Sequence, residues 1–148
     1  MRARDLVTVC RAVRLDTPAL DAARLLARDE LPGLVVVDDH GVPRTVLAGT
    51  QVLRLAVPGY IQDDPTLARV VDEASADVFL RELGDRTVAQ CLPDRPHELA
   101  VVSPDATALE VAALMASSRT PLVAVVDPER GLVGAVTLAT LMSRIVPT

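Results

Sequence analysis

The chain contains almost no aromatic residues, no lysine and no basic run. Tyr60 and Phe79 are its only aromatic residues, and Trp is absent. Proteins that bind single-stranded nucleic acid by stacking need several exposed rings. The chain has fifteen Arg residues and no Lys, against twenty acidic residues, and its net charge at pH 7 is −5. Binding to nucleic acid or to an anionic membrane surface is therefore not expected.

Signals for export, membrane insertion and catalysis are also missing. No apolar run approaches the roughly 20 residues that span a bilayer, and the N-terminal MRARDLVTV lacks the apolar core of a signal peptide. We therefore predict a cytoplasmic protein, in which Cys10 and Cys91, without CxxC spacing, are reduced and structural. His40 and His97 have no further ligand at metal spacing, and no GxSxG, HExxH or P-loop motif occurs. The sequence thus predicts no metal site, no catalytic residues and no enzymatic activity.

Apolar residues are plentiful, at half of the chain, which is enough for a sizeable core. The most informative stretch, residues 121–141, reads PLVAVVDPERGLVGAVTLATL. Its β-branched apolar run at 122–126 predicts a buried strand. The segment 127–131, with Pro and Gly, predicts a turn. A second strand at 132–137 and a helix from Leu138 complete the pattern.

An earlier part of the chain repeats this pattern. When residues 19–38 are placed on residues 108–127, nine of twenty positions are identical. The identical pairs are Ala19/Ala108, Leu20/Leu109, Ala23/Ala112, Leu25/Leu114, Ala27/Ala116, Pro32/Pro121, Val36/Val125, Val37/Val126 and Asp38/Asp127. A chance match would not keep its register across a helix, a break and a strand, so the sequence indicates an internal duplication. Each copy is predicted to fold as β-α-β-β-α, with the two Asp residues forming turns.

The duplication divides the chain into repeat 1 (residues 1–58), a helical connector (59–85) and repeat 2 (86–148). In repeat 1, Thr17 is predicted to be the N-cap of a helix that has Pro18 at its first helical position. In repeat 2, Thr107 and Glu110 are predicted to form a capping box. The connector carries an apolar stripe that covers either the protein's own core or a partner surface. This stripe consists of Leu67, Val70, Val71 and Ala74.

These patterns predict an α+β fold in which the two repeats are related by pseudo-two-fold symmetry. Neither repeat has enough surface to bury the apolar face of its own sheet. We therefore expect the two sheets to pack against each other, which leaves two symmetry-related clefts at the seam.

Both copies resemble a CBS domain. The run AVVDPERGLVGAVTLATLM in repeat 2 is similar to the family pattern of apolar strand, Asp, turn Gly, strand ending in Thr, and helix. The run VVVDDHGVPRTVLAGTQVL in repeat 1 keeps the strand, Asp38 and Gly41, and in this alignment Arg44 occupies the position of Gly134. The whole chain thus resembles a tandem CBS pair, the arrangement called a Bateman module.

The resemblance implies a non-catalytic regulatory or sensory protein. Such modules are often homodimers and commonly bind adenosine-containing ligands such as AMP, ATP or S-adenosylmethionine in the clefts between repeats. The bound state would be transmitted through dimer packing to a regulated partner protein. The alternative is an interaction scaffold that dimerises and regulates a partner without any ligand.

The resemblance also implies which residues line the clefts. A Thr ending the third strand of a repeat contacts phosphate, and an Asp three positions later holds the ribose. Here Thr140 occupies the Asp position after Thr137, and repeat 1 offers either Ala48 and Gln51 or Leu47 and Thr50. Losing a hydrogen bond to a charged acceptor costs about 1.5–3 kcal/mol, and the Thr hydroxyls could instead cap the helix. The candidate ligand residues are Pro121, Val123, Ala135, Thr137, Thr140 and Arg119 in one cleft, and Leu34, Ala48, Thr50 and Gln51 in the other.

Overall fold

A computed structural model describes residues 1–57, 59–66 and 81–147. Each repeat contributes one three-stranded sheet. The first sheet contains β1 (Ala12–Arg14), β2 (Gly33–Val37) and β3 (Pro43–Ala48), and the second contains β4 (Val101–Val102), β5 (Leu122–Asp127) and β6 (Gly131–Thr137). In both sheets the first strand runs parallel to the central strand and the third runs antiparallel to it. The predicted α+β class and β-α-β-β-α order are confirmed.

The helices flank the two sheets. Those that lie wholly within the described residues are α1 (Ala3–Leu6), α2 (Ala19–Arg28), α3 (Gly49–Ala56), α4 (Gly59–Asp63), α5 (Val88–Cys91), α6 (Ala108–Ser118) and α7 (Leu138–Ile145). The predicted connector stripe and Phe79 lie outside the described residues. No helix in the described part of the chain combines the length and the apolar character needed to cross a membrane.

The capping box of α6 is confirmed, but the predicted start of α2 is wrong. Thr107 Oγ1 accepts from the Glu110 amide at 3.2 Å, and the Glu110 carboxylate accepts from the Thr107 amide at 3.1 Å. At α2, Pro18 is itself the N-cap residue and the first helical residue follows it. Thr17 Oγ1 accepts from the amide of Arg14 instead, because the preceding turn already uses this hydroxyl.

Strand register shows that the two repeats superpose without a gap. Ala48 pairs with Gly33 at the end of β3, as Thr137 pairs with Leu122 at the end of β6. Ala48 and Thr137 are also the N-cap residues of α3 and α7. Of the two alternatives for repeat 1, the structure therefore selects Ala48 and Gln51.

The same register corrects the expected counterpart of Gly134. Val36 pairs with Thr45, and Val125 pairs with Gly134, so Thr45 rather than Arg44 is equivalent to this glycine. Arg44 lies in the hairpin, where its Nε donates to Asp38 Oδ2 at 2.9 Å. The error arose from aligning the turn glycines, which occupy different positions of the two hairpins.

Three apolar clusters hold the fold together. Each sheet packs one face against helices, and the two opposite faces of the sheets pack against each other. The cluster between the sheets consists of Val35, Val37, Leu122, Ala124 and Ala135, with half-buried Cys10, Val46, Leu99, Val126 and Leu132 around it. Alternation along the strands explains this arrangement, since successive side chains point to opposite faces.

The segment that precedes the first strand of each repeat, here called its lead-in, begins with a short helix, α1 in repeat 1 and α5 in repeat 2. These two helices are exchanged between the repeats. Ala3 and Leu6 of α1 are buried in the cluster of the second sheet, and the Ala3 amide donates to the Ala106 carbonyl at 2.7 Å. Val88 of α5 is buried in the cluster of the first sheet, and its amide donates to the Thr17 carbonyl at 2.8 Å. Each repeat's lead-in therefore completes the core of the other repeat. The proposed division of the chain at residues 58 and 85 stays a prediction about the sequence.

Candidate functional site

Two clefts lie at the seam between the repeats. The larger cleft has a volume of about 670 Å³ and is lined by Thr8, Val9, residues 29–32, Pro121 and residues 137–140. The smaller cleft has a volume of about 360 Å³ and is lined by Pro32, Thr45, Val46, Ala48, Gln51, residues 97–100 and residues 118–121. Both volumes fall within the range of about 300–1,000 Å³ that is typical of small-molecule sites.

The clefts are equivalent, because corresponding parts of the two repeats build them. Each cleft is lined by residues from three places: the lead-in of one repeat, the loop at the end of α2 or α6, and the start of α3 or α7. In the larger cleft these parts are residues 8–9, 29–32 and 137–140. In the smaller cleft the corresponding parts include residues 97–98, residues 118–121, and Ala48 with Gln51.

At the larger cleft, the hydroxyl groups of Thr137 and Thr140 interact with each other and with the start of α7. Thr137 is only 8% exposed. Its Oγ1 accepts from the Thr140 amide at 3.2 Å and lies 3.0 Å from Thr140 Oγ1. The Leu138 amide donates to the Pro121 carbonyl at 2.8 Å. The capping alternative for these hydroxyls is therefore observed, and a ligand role for Thr137 and Thr140 stays a prediction.

At the smaller cleft, α3 begins without a side-chain cap. The N-cap residue Ala48 has no hydroxyl, and its own amide donates to Gln51 Oε1 at 2.8 Å. The Gly49 amide donates to the Pro32 carbonyl at 3.2 Å, as Leu138 does to Pro121 in the other repeat. The later amides of the first turn of α3 have no side-chain acceptor from the cap position, which is the usual condition for an anion to bind there.

Arg119 lines the smaller cleft and the adjoining groove between α6 and α7, but not the larger cleft that holds Thr137 and Thr140, where it was expected. It ends α6, and the loop that follows this helix lines the smaller cleft together with Ala48 and Gln51. The physical reason is the pseudo-symmetry, which places the loop of one repeat opposite the last helix of the other. Pro121, two residues further on, lines both clefts.

Four other candidates do not line either cleft. Val123 and Leu34 are fully buried in the cores of their own repeats. Ala135 is buried between the sheets, and Thr50 is an exposed residue of α3. Alternation along the strands turns the side chains of Leu34, Val123 and Ala135 into the cores.

Glu30 and Arg119 have an unusual backbone conformation at equivalent positions. They adopt positive φ angles of 50° and 52°, and no other non-glycine residue in the described ranges does so. A side chain in this left-handed region costs roughly 1–2 kcal/mol. Sequence reasoning missed Glu30 as a cleft residue. The repeat alignment gives Glu30 the position of Arg119, which was already a candidate, and could have identified it. The lead-in residues of both clefts were also missed, because their exchange has no local sequence signal.

Neither cysteine lines the larger or the smaller cleft. Both are free, and burial raises the pKa of the Cys10 and Cys91 thiols. A raised pKa disfavours the thiolate, which is the reactive form. In the described part of the chain, no three His, Cys, Asp or Glu residues come together as a metal site.

Comparison with known proteins identifies the family. Residues 94–147 match the CBS domain family. A CBS domain-containing protein of unknown function from Kribbella flavida DSM 17836 is 46% identical, and the match covers 99% of this chain and 100% of that one with a TM-score of 0.84. This chain belongs to the CBS domain family. Its two repeats make it a tandem CBS pair.

More distant structures share the fold of this CBS pair. CBSX2, a CBS-pair protein from Arabidopsis thaliana solved in complex with AMP, is 20% identical over 97% of this chain and 94% of its own, with a TM-score of 0.65. The CBS domain of a bacterial CNNM/CorC family Mg²⁺ transporter in complex with ATP is 17% identical over 99% of this chain and 87% of its own, with a TM-score of 0.69. No curated protein matches the sequence.

Proposed function

We propose that this CBS pair is a non-catalytic regulatory protein that binds an adenosine-type nucleotide at the seam between its repeats. The observation that carries the proposal is the pair of equivalent clefts, both of ligand size, at the starts of α3 and α7. Structures with the same fold have been solved with AMP and ATP. The ligand would act by linkage. If the two repeats can pack in two arrangements, a ligand that binds one arrangement more tightly shifts the population towards it.

The bound state is transmitted through a homodimer in this proposal. Leu138, Met142 and Ile145 follow each other at helical spacing on α7 and are 47%, 48% and 44% exposed. They border a groove of about 430 Å³ between α6 and α7, whose lining includes the small residues Ala112 and Ala116. Leu138, Met142 and Ile145 thus form a ridge beside the groove. A two-fold interface suits this face, because the ridge of each copy can pack into the groove of the other. An unidentified partner protein would then respond to the dimer.

A second candidate function is a dimeric scaffold that regulates a partner without a ligand. One observation favours it: Thr140 and Gln51 stand at the positions where the family resemblance implies a ribose-binding Asp. Neither side chain can accept from two ribose hydroxyls with a charged group.

Isothermal titration of the wild-type protein with AMP, ADP, ATP and S-adenosylmethionine distinguishes these two functions. We expect saturable heat with at least one ligand. Leu31→Trp and Thr120→Trp then locate the site, since they fill the larger and the smaller cleft from equivalent, half-buried positions. At least one of the two variants should lose binding while both keep the wild-type circular dichroism spectrum. No heat with any ligand would reject nucleotide binding and support the scaffold.

A further inference from the structure

The two clefts carry opposite charges at equivalent positions. The loop after α2 brings Asp29 and Glu30 to the larger cleft, and the C-terminal end of α6 brings Ser118 and Arg119 to the smaller cleft. Glu30 and Arg119 share the same left-handed backbone conformation. Each side chain therefore leaves its loop in the same direction relative to its own repeat. A carboxylate in one cleft takes the place that a guanidinium has in the other.

The rest of the lining strengthens this difference. Among the described residues that line the larger cleft there is no Arg or His, and its lead-in contributes the neutral Thr8 and Val9. The corresponding lead-in of the smaller cleft contributes His97 and Glu98. In the smaller cleft, Arg119 and Glu98 balance each other in formal charge. In the larger cleft, Asp29 has an exposed ion pair with Arg28 at 3.4 Å, and such a surface pair compensates little of the negative charge.

The N-termini of α3 and α7, the last helices of the two repeats, also differ in how well they suit an anion. In the larger cleft, Thr137 Oγ1 already occupies an amide in the first turn of α7. In the smaller cleft, Ala48 leaves the corresponding amide of Gln51 without a side-chain acceptor. The positive end of α3 therefore adds to the positive charge of Arg119, and both favour an anion.

We propose that the phosphate-bearing ligand of this CBS pair binds in the smaller cleft, with Arg119 as its anchor, and that Glu30 keeps phosphates out of the larger cleft. This inference rests on the proposed nucleotide-binding function and specifies which cleft carries it. Arg is suited to the role because its planar fork matches the geometry of phosphate oxygens. Repulsion between Glu30 and a phosphate acts within the Debye length of about 8 Å at physiological salt.

Isothermal titration with ATP and with uncharged adenosine tests the inference in charge variants. The wild type should bind one ATP per chain. Arg119→Glu should weaken ATP binding about ten- to a hundredfold, as expected for a lost charge-assisted hydrogen bond, with little effect on adenosine. Arg119→Lys should restore part of the affinity. Glu30→Arg should add a second ATP site, since it gives the larger cleft the residue that the smaller cleft has.

Arg130→Glu is the matched control, because it makes the same charge change at an exposed turn residue outside both clefts. It should leave ATP affinity within about twofold of wild type, since distant surface charges are screened. Equal losses for Arg119→Glu and Arg130→Glu would overturn the inference, as would unchanged ATP stoichiometry in Glu30→Arg. Binding of adenosine without ATP would overturn it while the proposed function stands. Failure of both ligands to bind the wild type would overturn both.

Discussion

Gly134 lies where the N-terminal segment crosses the edge of β6. Thr8 pairs with Ala135 through two backbone hydrogen bonds of 2.9 and 3.0 Å. A Cβ at Gly134 would lie 2.3 Å from the Thr8 carbonyl oxygen, which is too close for any side chain. The glycine is therefore needed for the close approach of two backbones and not for an unusual φ angle.

Gly134→Ala should destabilise the protein by about 1–3 kcal/mol, the usual cost of overpacking. Gly49→Ala is the matched control, because no atom lies within 4 Å of its added Cβ. This control should be neutral or stabilising by up to about 1 kcal/mol. The free energy of unfolding in urea, measured for both variants, checks the difference. Similar values for the two would show that Thr8 does not pack against β6 in solution.

Local chemistry at single residues was predictable from the sequence where it depends on neighbours in the chain. Asp38 and Asp127 form turns as predicted, since their carboxylates accept from amides within the next four residues. Donation from the Val42 and His40 amides and from Arg44 lowers the pKa of Asp38. The left-handed conformation of Arg119 was not predictable, because a residue other than glycine in this conformation has no sequence signature.

At the scale of single elements, apolar spacing predicted the strands and the long helices of both repeats within the described residues, with differences at their ends. β3, for example, begins at Pro43, although a proline gives no local signal for a strand. A bulge between Val36 and Val37 lets Val37 pair with Pro43. Proline is tolerated there because β3 is an edge strand. Spacing gives the period of an element, whereas its ends depend on the partner strand.

The exposed face of α7 makes a prediction about assembly. Met142→Glu places a charge at the centre of the Leu138–Met142–Ile145 ridge, so a homodimer packed on this face should dissociate. Val42→Glu is the control, since Val42 is 45% exposed in the first hairpin and belongs to no ridge. Sedimentation equilibrium should give a dimer for the wild type and the control, and a monomer for Met142→Glu. A dimeric Met142→Glu protein would exclude this face as the interface.

The whole molecule depends on the exchange of the lead-in helices. The sequence predicted two repeats and their symmetry, because each repeat carries its own strands and long helices. It did not predict that α1 completes the second core and α5 the first. Two similar repeats offer similar grooves, so a short lead-in such as residues 3–6 contains no information on which groove it fills. The exchange also shapes the clefts. Residues 8–9, from the lead-in of repeat 1, line the larger cleft, and residues 97–98, from the lead-in of repeat 2, line the smaller cleft.

Leu6→Ala tests the exchange, because Leu6 is 2% exposed in the core of the second repeat. Truncating a buried Leu costs about 2–5 kcal/mol, and amide hydrogen exchange should accelerate most in β5, β6 and α6. Val9→Ala is the control, since Val9 is 91% exposed. Faster exchange confined to β2 and β3 would contradict the exchanged arrangement.

A crystal structure of the wild-type protein grown with ATP tests the central claim most directly, namely that the seam between the repeats is the nucleotide site. We expect density for one nucleotide in the smaller cleft, with its phosphates next to Arg119 and the start of α3, and none in the larger cleft. Density for ATP away from the seam, or no nucleotide density at saturating ATP, would contradict the claim.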